Sequence, residues 1–514
     1  MESEQVESGV LLTRFGKHTT AALTSAILVK VMSLILVKTL TSILPISGYG
    51  AYSIWMTFIT LVSTLSTSAF SATIWRFMPH RRSSETKESA SALFVTALSG
   101  STSIILVTVV VFWILNLSGM RIVDDSLYLT TLVIVGFLVV FNALKELILV
   151  VSGSEQNPRE ILIFNLTYSS SATAIACLVG WIFVDYHIVL IGLGIGYAIP
   201  ILVSLTIKIR QYGFVYPRKS DLKKSISFGG PSILVGSVKT LVPFLTSLIV
   251  SSWIGLQAVA TLSIALLFAS IFSFVVVPPQ TAYQAYIVNA FETDNYKKGN
   301  EMATLVIELF TFLATPIAFL MVILSPLLIL LVSTQQYLDA TLLVPYTVVY
   351  AALGAFSYFW KIQLDLVEKP QLTGITYAIS AIILAVVSVL LVPMVGLVGV
   401  GIAMVIQAGF IAIMLYVIGN SALPIKQRPR FWLVWFLAST ILVVMFEVFY
   451  SWGIPDVLSA LFSLAVYVAV CGVSGLLSMQ RAKLIISLLF PRVNQLKKTR
   501  KSNQDASTKD QSVS

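Results

Sequence analysis

Apolar residues recur along this chain in stretches long enough to cross a bilayer, joined by links too short to fold into a domain of their own. Windows of about 19 residues on a transfer scale place these stretches at 19–44, 49–75, 89–115, 127–151, 161–184, 187–209, 228–252, 257–283, 302–333, 341–365, 372–392, 396–418, 430–450 and 455–478. A hydrocarbon core about 30 Å thick needs about 20 such residues per helix. The run from 372 to 418 is too long for one crossing and contains Pro393 and Gly396, so it divides into two. Lipid offers the backbone no hydrogen-bond partner, which leaves the helix as the spanning element for stretches of this length. Composition agrees, with 57% hydrophobic residues, 11% charged residues and a mean hydropathy of +0.92. The expected fold class is an all-α polytopic membrane protein of about 14 transmembrane helices.

The net charge of +10 lies in short links and a tail, without a basic domain or an aromatic-basic motif, so nucleic acid is not the expected partner. If the N-terminus is cytoplasmic, 28 of the 33 Lys and Arg residues fall on the inner side and Arg121 alone falls in an outer loop. The remaining cations, Lys30, Lys38, Lys145 and Lys239, lie within spans. That asymmetry predicts a cell-membrane protein with both termini on the cytoplasmic side and an even number of crossings. The opening MESEQVESG carries three glutamates and lacks the basic start of a signal peptide, so the first helix is expected to be retained. Cys177 and Cys471 lie inside apolar stretches and read as small core residues, not as a disulfide or a metal site. Within the tail, Leu484–Phe490 reads as a short interfacial piece, and the segment after Lys497 has nothing to bury.

Lys30 and Lys239 each lie about eleven residues into a span, roughly 16 Å deep, or half of the hydrocarbon core. An ammonium at that depth costs about 2.5–3.5 kcal/mol or more, so it is expected to face a wet cavity or a partner. Two such cations without an acid at the same depth point to an anionic cargo. The competing reading is a buried ion pair, or a neutral lysine packed in the bundle. The residues around them align, SAILVKV (Ser25–Val31) with ILVGSVKT (Ile233–Thr240), and the next spans align at nearly the same offset. An even number of helices between the copies makes them parallel repeats about an axis normal to the membrane. The expected organisation is a cytoplasmic N-terminus (1–18), an N-lobe of six helices (19–209), an inter-lobe loop (210–227), a C-lobe of six helices (228–418), two further helices (430–478) and a basic, partly disordered cytoplasmic tail (479–514).

Lys38, about 80° round the helix from Lys30, could extend the same cationic wall outward. Arg76 reads first as a topology-setting charge and second as a contact for an entering headgroup. Lys145 and Glu146 are adjacent in sequence, about 100° apart on a helix, and are not expected simply to neutralise each other. Lys361 and Asp365, at i and i+4, are expected to pair. Glu308 is the candidate for H+ or Na+ coupling, with a salt bridge as the equal alternative. Prolines at 231, 243, 278, 279, 316 and 326, with Gly229, Gly230 and Gly236, predict bent or broken helices over the seventh to ninth spans.

Five segments carry a resemblance: the Arg14–Lys17 entry with Lys30 in the first span, SGYGAYSI (Ser47–Ile54), WRFMP (Trp75–Pro79), SFGGPSILVGSV (Ser227–Val238) and VVVPPQTAY (Val275–Tyr283). In these the chain resembles the Wzx-type flippases, the polysaccharide-transport family of the MATE-like MOP superfamily. The resemblance implies two six-helix lobes around a cationic cavity and alternating access. The implied cargo is a polyprenyl-diphosphate-linked oligosaccharide, moved from the inner to the outer leaflet for cell-surface glycan synthesis. Lys30, Lys239, Lys38, Arg76 and Lys145 are then the candidate substrate-binding cations. Lysine suits the task, since a point charge on a flexible stem follows a phosphate without demanding bidentate geometry. Membrane lipids and the glycosyltransferase or glycan-polymerase machinery are the implied partners, and no cofactor is implied.

Other classes fit the residues less well. A membrane glycosyltransferase or polymerase needs an outer loop furnished with carboxylates, and the longest, Asn116–Ser126, offers only Asp124 and Asp125. A primary pump would need a phosphate loop of the G-x-x-x-x-G-K type, which the sequence lacks. A MATE-type exporter of cationic drugs would call for cavity acids, and the first two spans contain none. A peptidoglycan-precursor flippase of the same superfamily remains open.

Overall fold

The structure, a computed structural model, describes residues 24–84, 87–117, 122–123, 127–155, 157–213, 215–292 and 296–474. The Arg14–Lys17 entry, Arg121, Asp124, Asp125 and the tail from 479 lie outside the described residues. Among those described, the regular structure is helical: α1 (Thr24–Ile43), α2 (Ile46–Ser84), α3 (Lys87–Leu117), α4 (Tyr128–Ser154), α5 (Pro158–Phe183), α6 (Tyr186–Tyr212) and α7 (Lys219–Trp253). It continues with α8 (Leu256–Glu292), α9 (Tyr296–Ile323), α10 (Ser325–Val332), a 3-10 segment (Gln335–Leu342), α11 (Val344–Leu366), α12 (Pro370–Val395), α13 (Leu397–Ala422), α14 (Pro429–Ser451) and α15 (Asp456–Val473).

Twelve described helices are long and apolar enough to cross a membrane, or thirteen if the 3-10 segment and α11, bent by 56°, make one further span. The described residues thus account for twelve or thirteen of the fourteen expected spans. The seventh expected span, 228–252, falls within helix α7. Two boundaries also differ. The loop expected over 210–227 shrinks to the link between Tyr212 and Lys219, because a polar helical turn precedes the apolar part of α7. The span expected over 302–333 is split between Ile323 and Ser325, where Pro326 removes a backbone donor from the continuing helix. Conversely, α7 runs as one helix through Pro243, and α9 through Pro316.

The tight pairs separate as read. Val184 takes a left-handed conformation (φ 53°), and Asp185 caps α6 by accepting from the His187 amide at 2.8 Å. At the other, the chain turns at Gly396 (φ 63°) between α12 and α13.

The chain forms two compact units. The first comprises residues up to Leu266 together with Leu327–Leu343 and Pro370–Gln407. Its core is organised on α2, which packs against α3, α4 and α7. Phe58 sits edge-on to Phe112 at 4.6 Å and tilted to Phe244 at 5.6 Å, so one ring joins three helices. Close helix approach depends on glycine: a Cβ on Gly229 of α7 would lie 2.1 Å from the Ala69 carbonyl oxygen, inside any allowed contact. Read as a bending point, Gly229 instead lets α7 touch the α2 backbone. The second unit comprises Leu267–Pro326, Val344–Lys369 and the chain from Ala408. There the Trp435 indole donates to Thr315 Oγ1 at 2.8 Å, and Phe312 stacks on Tyr467 at 5.7 Å, tying α14 and α15 to α9.

Candidate functional site

Within the first unit, α1, α2, α4, α5 and α6 enclose a cavity of about 360 Å³. Each helix contributes because its apolar face is interrupted by polar residues at helical spacing. Ser33 comes from α1, Tyr52, Thr60 and Thr64 from α2, Asn142, Lys145 and Glu146 from α4, Asn165, Tyr168 and Ser169 from α5, and Tyr197 from α6. The Tyr168 and Tyr197 rings lie parallel at 4.3 Å, and the Lys145 ammonium stands 5.5 Å from the Tyr168 centroid. That ammonium is also 3.0 Å from Glu146 Oε1. Lys145 and Glu146 therefore do neutralise each other, contrary to the expectation from their positions round the helix. The four-carbon lysine stem reaches back across the angle that separates the two Cβ directions.

The other candidate cations fall in different surroundings. Lys30 is half-buried on α1 between the cavity-lining residues Val29 and Ser33. Lys239 is exposed on α7, its ammonium 6.0 Å from the Tyr377 ring of α12. Arg76 is exposed on α2 and is not among the cavity-lining residues. Lys38 does not extend a cationic wall: its ammonium donates to the Leu330 carbonyl at 2.8 Å and to the Ser333 carbonyl at the end of α10. Carbonyls at a helix C-terminus lack intrahelical partners, and a cation there satisfies them and opposes the helix dipole. In the second unit Glu308 is buried with Arg428 Nη1 3.9 Å away, and Lys361 pairs with Asp365 as expected.

Two ion-pair clusters do not appear in the sequence reading. Arg81, counted there as a topology charge, is buried and grips Asp221 at the start of α7 through both carboxylate oxygens, at 2.6 and 3.1 Å, while donating to the Ser89 carbonyl. Lys208 is fully buried at the end of α6, 2.7 Å from both Glu155 and Glu160. The second cluster has a legible origin, because Asn157-Pro158 followed by Glu160 is a helix-start signature and Asn157 accepts from the Glu160 amide. The cavity amides Asn142 and Asn165 were also readable, as carboxamides inside otherwise apolar spans.

The sequence profile of the family described as "Polysaccharide biosynthesis protein" matches residues 15–291. The chain belongs to that family. No curated protein matches it by sequence. Among solved structures, this polysaccharide biosynthesis protein is similar to the lipid II flippase MurJ in an inward closed conformation, with a TM-score of 0.71 and 12% identity over 89% of this chain and 98% of that one. It is also similar to a multidrug resistance MATE transporter of the MOP superfamily in an inward-facing conformation, with a TM-score of 0.60 and 15% identity over 76% of this chain and 94% of that one. An outward-facing MATE structure gives a TM-score of 0.58. The fold is thus that shared by these MurJ and MATE structures, in a multi-pass, all-helical membrane protein.

Proposed function

We propose that this protein is a flippase that carries a polyprenyl-diphosphate-linked oligosaccharide across the cytoplasmic membrane by alternating access between two six-helix lobes, with both termini and the basic tail cytoplasmic. The observation that carries the reading is the family match over residues 15–291 on a fold shared, across nearly the whole length, with a lipid II flippase. Lys30 is our candidate for meeting the diphosphate, since it is half-buried on α1 between the cavity-lining residues Val29 and Ser33. A desolvated ammonium interacts with a phosphate far more strongly than a surface lysine does. Lys239, exposed on α7, supplies the second cation. A MATE-type exporter of cationic drugs is disfavoured because Glu146 is held by Lys145, leaving that cavity acid without net attraction for a cation.

Lys30→Ala and Lys239→Ala are expected each to reduce translocation at least tenfold while leaving membrane expression near normal. The measurement is the outward appearance of lipid-linked glycan in vesicles containing the purified protein. Full activity in the double variant would remove the lysines from phosphate binding.

A further inference from the structure

We propose that the cavity enclosed by α1, α2, α4, α5 and α6 is a subsite for uncharged sugar residues of the cargo, not for its diphosphate. This rests on the flippase reading above and divides the cargo between two places, with Lys30 beside the wall and the polyhydroxylated part inside. The first argument is charge. The cavity's one ammonium, on Lys145, is 3.0 Å from the carboxylate of Glu146, so the wall is neutral as a pair. A diphosphate entering here would meet Glu146, and an organic cation would meet Lys145.

The second argument is the direction of the hydrogen bonds. Thr60, Thr64 and Ser169 already donate their hydroxyl protons to helical carbonyls, of Met56 at 2.8 Å, Thr60 at 2.8 Å and Asn165 at 2.7 Å. What these side chains turn to a ligand is therefore the lone pairs of their oxygens. The Asn165 amide nitrogen likewise donates to Ser25 Oγ at 2.9 Å, leaving its carbonyl oxygen as an acceptor. A phosphate at neutral pH is itself almost purely an acceptor, so these four oxygens offer it no hydrogen bond. A sugar hydroxyl both donates and accepts. Its protons suit the threonine and serine oxygens, and its lone pairs suit the Asn142 amide, which makes no hydrogen bond to other described residues. The volume of about 360 Å³ lies near the lower end of the roughly 300–1,000 Å³ typical of ligand pockets.

The test compares two lipids on the full-length protein in nanodiscs: bare polyprenyl diphosphate, and the glycan-bearing polyprenyl diphosphate extracted from the membranes in which the protein is native. The unmodified protein is expected to bind the glycan-bearing lipid more tightly. Asn142→Leu and Thr60→Val, each removing polar atoms with little change in volume, are expected to lose about tenfold of that glycan increment while binding the bare lipid as before. Retained binding of the bare lipid also reports that the variants fold. Lys30→Ala is expected to do the reverse, weakening both lipids by the same factor. If the two cavity variants leave the glycan increment intact, or weaken the bare lipid equally, the sugar subsite is overturned and the flippase reading stands. Binding of ethidium that is lost in the same variants would assign the cavity to organic cations and overturn it too. If the unmodified protein binds neither lipid, the flippase reading itself falls.

Discussion

A guanidinium and a carboxylate, both almost fully withdrawn from water, join the end of α2 to the start of α7. Removing two charges from water is costly, and a buried pair recovers that cost only with good geometry and further hydrogen bonds. Arg81 and Asp221 have both, through the bidentate contact and the bond to the Ser89 carbonyl. Arg81→Ala would leave Asp221 buried without its counter-charge, a loss of about 3–5 kcal/mol. The expected outcome is a clearly lower melting temperature in detergent, with partial recovery when Asp221→Asn is added to remove the stranded charge. A variant that melts like the unmodified protein would show the pair to be dispensable. Arg81 was visible in the sequence as a cation near a membrane boundary, but its partner lies 140 residues away and no local pattern announces it. The same limit applied to Lys145 and Glu146. Helical angles predict where Cβ atoms point, and a long flexible stem decides where an ammonium ends.

Helices were the most legible level, because each buries its own backbone hydrogen bonds and each writes an apolar run of the required length into the sequence. Their ends were less legible. Hydropathy does not register the polar first turn of α7 from Lys219, and it reads straight through the break between α9 and α10 because both sides are equally apolar. That break changes the meaning of Lys38. The segment Leu327–Leu343 belongs to the first unit although its flanking residues belong to the second. Lys38 holds it by the carbonyls of Leu330 and Ser333, and Tyr337 meets the Tyr49 ring edge-on at 5.8 Å. Lys38→Met keeps the apolar stem and removes the donors, which are worth about 1–2 kcal/mol to such carbonyls. Amide hydrogen exchange over residues 325–343 is expected to accelerate about tenfold, with translocation falling less than in Lys30→Ala. Unchanged exchange would mean that the aromatic contact alone secures the segment.

At the scale of the whole molecule, orientation is the property the sequence describes most strongly and the fold leaves free, since a helical bundle is equally stable with either face inward. Lysine and arginine in short loops resist translocation during insertion, and their 28:1 distribution supplies the bias. Two positions read it directly. Ser220 is exposed in the first turn of α7 beside Lys219, and Ser451 is exposed at the end of α14, so on the proposed orientation they lie on opposite faces of the membrane. The native thiols interfere little, because Cys471 is buried and Cys177 half-buried, and replacing both with alanine gives a clean background. In sealed cells, a membrane-impermeant maleimide is expected to label Ser451→Cys and to spare Ser220→Cys until the membrane is opened. Labelling of Ser220→Cys from outside would invert the topology. The basic link between α6 and α7 would then face away from the compartment where lipid-linked glycans are assembled, and an inward-to-outward flippase would have its entrance on the wrong side.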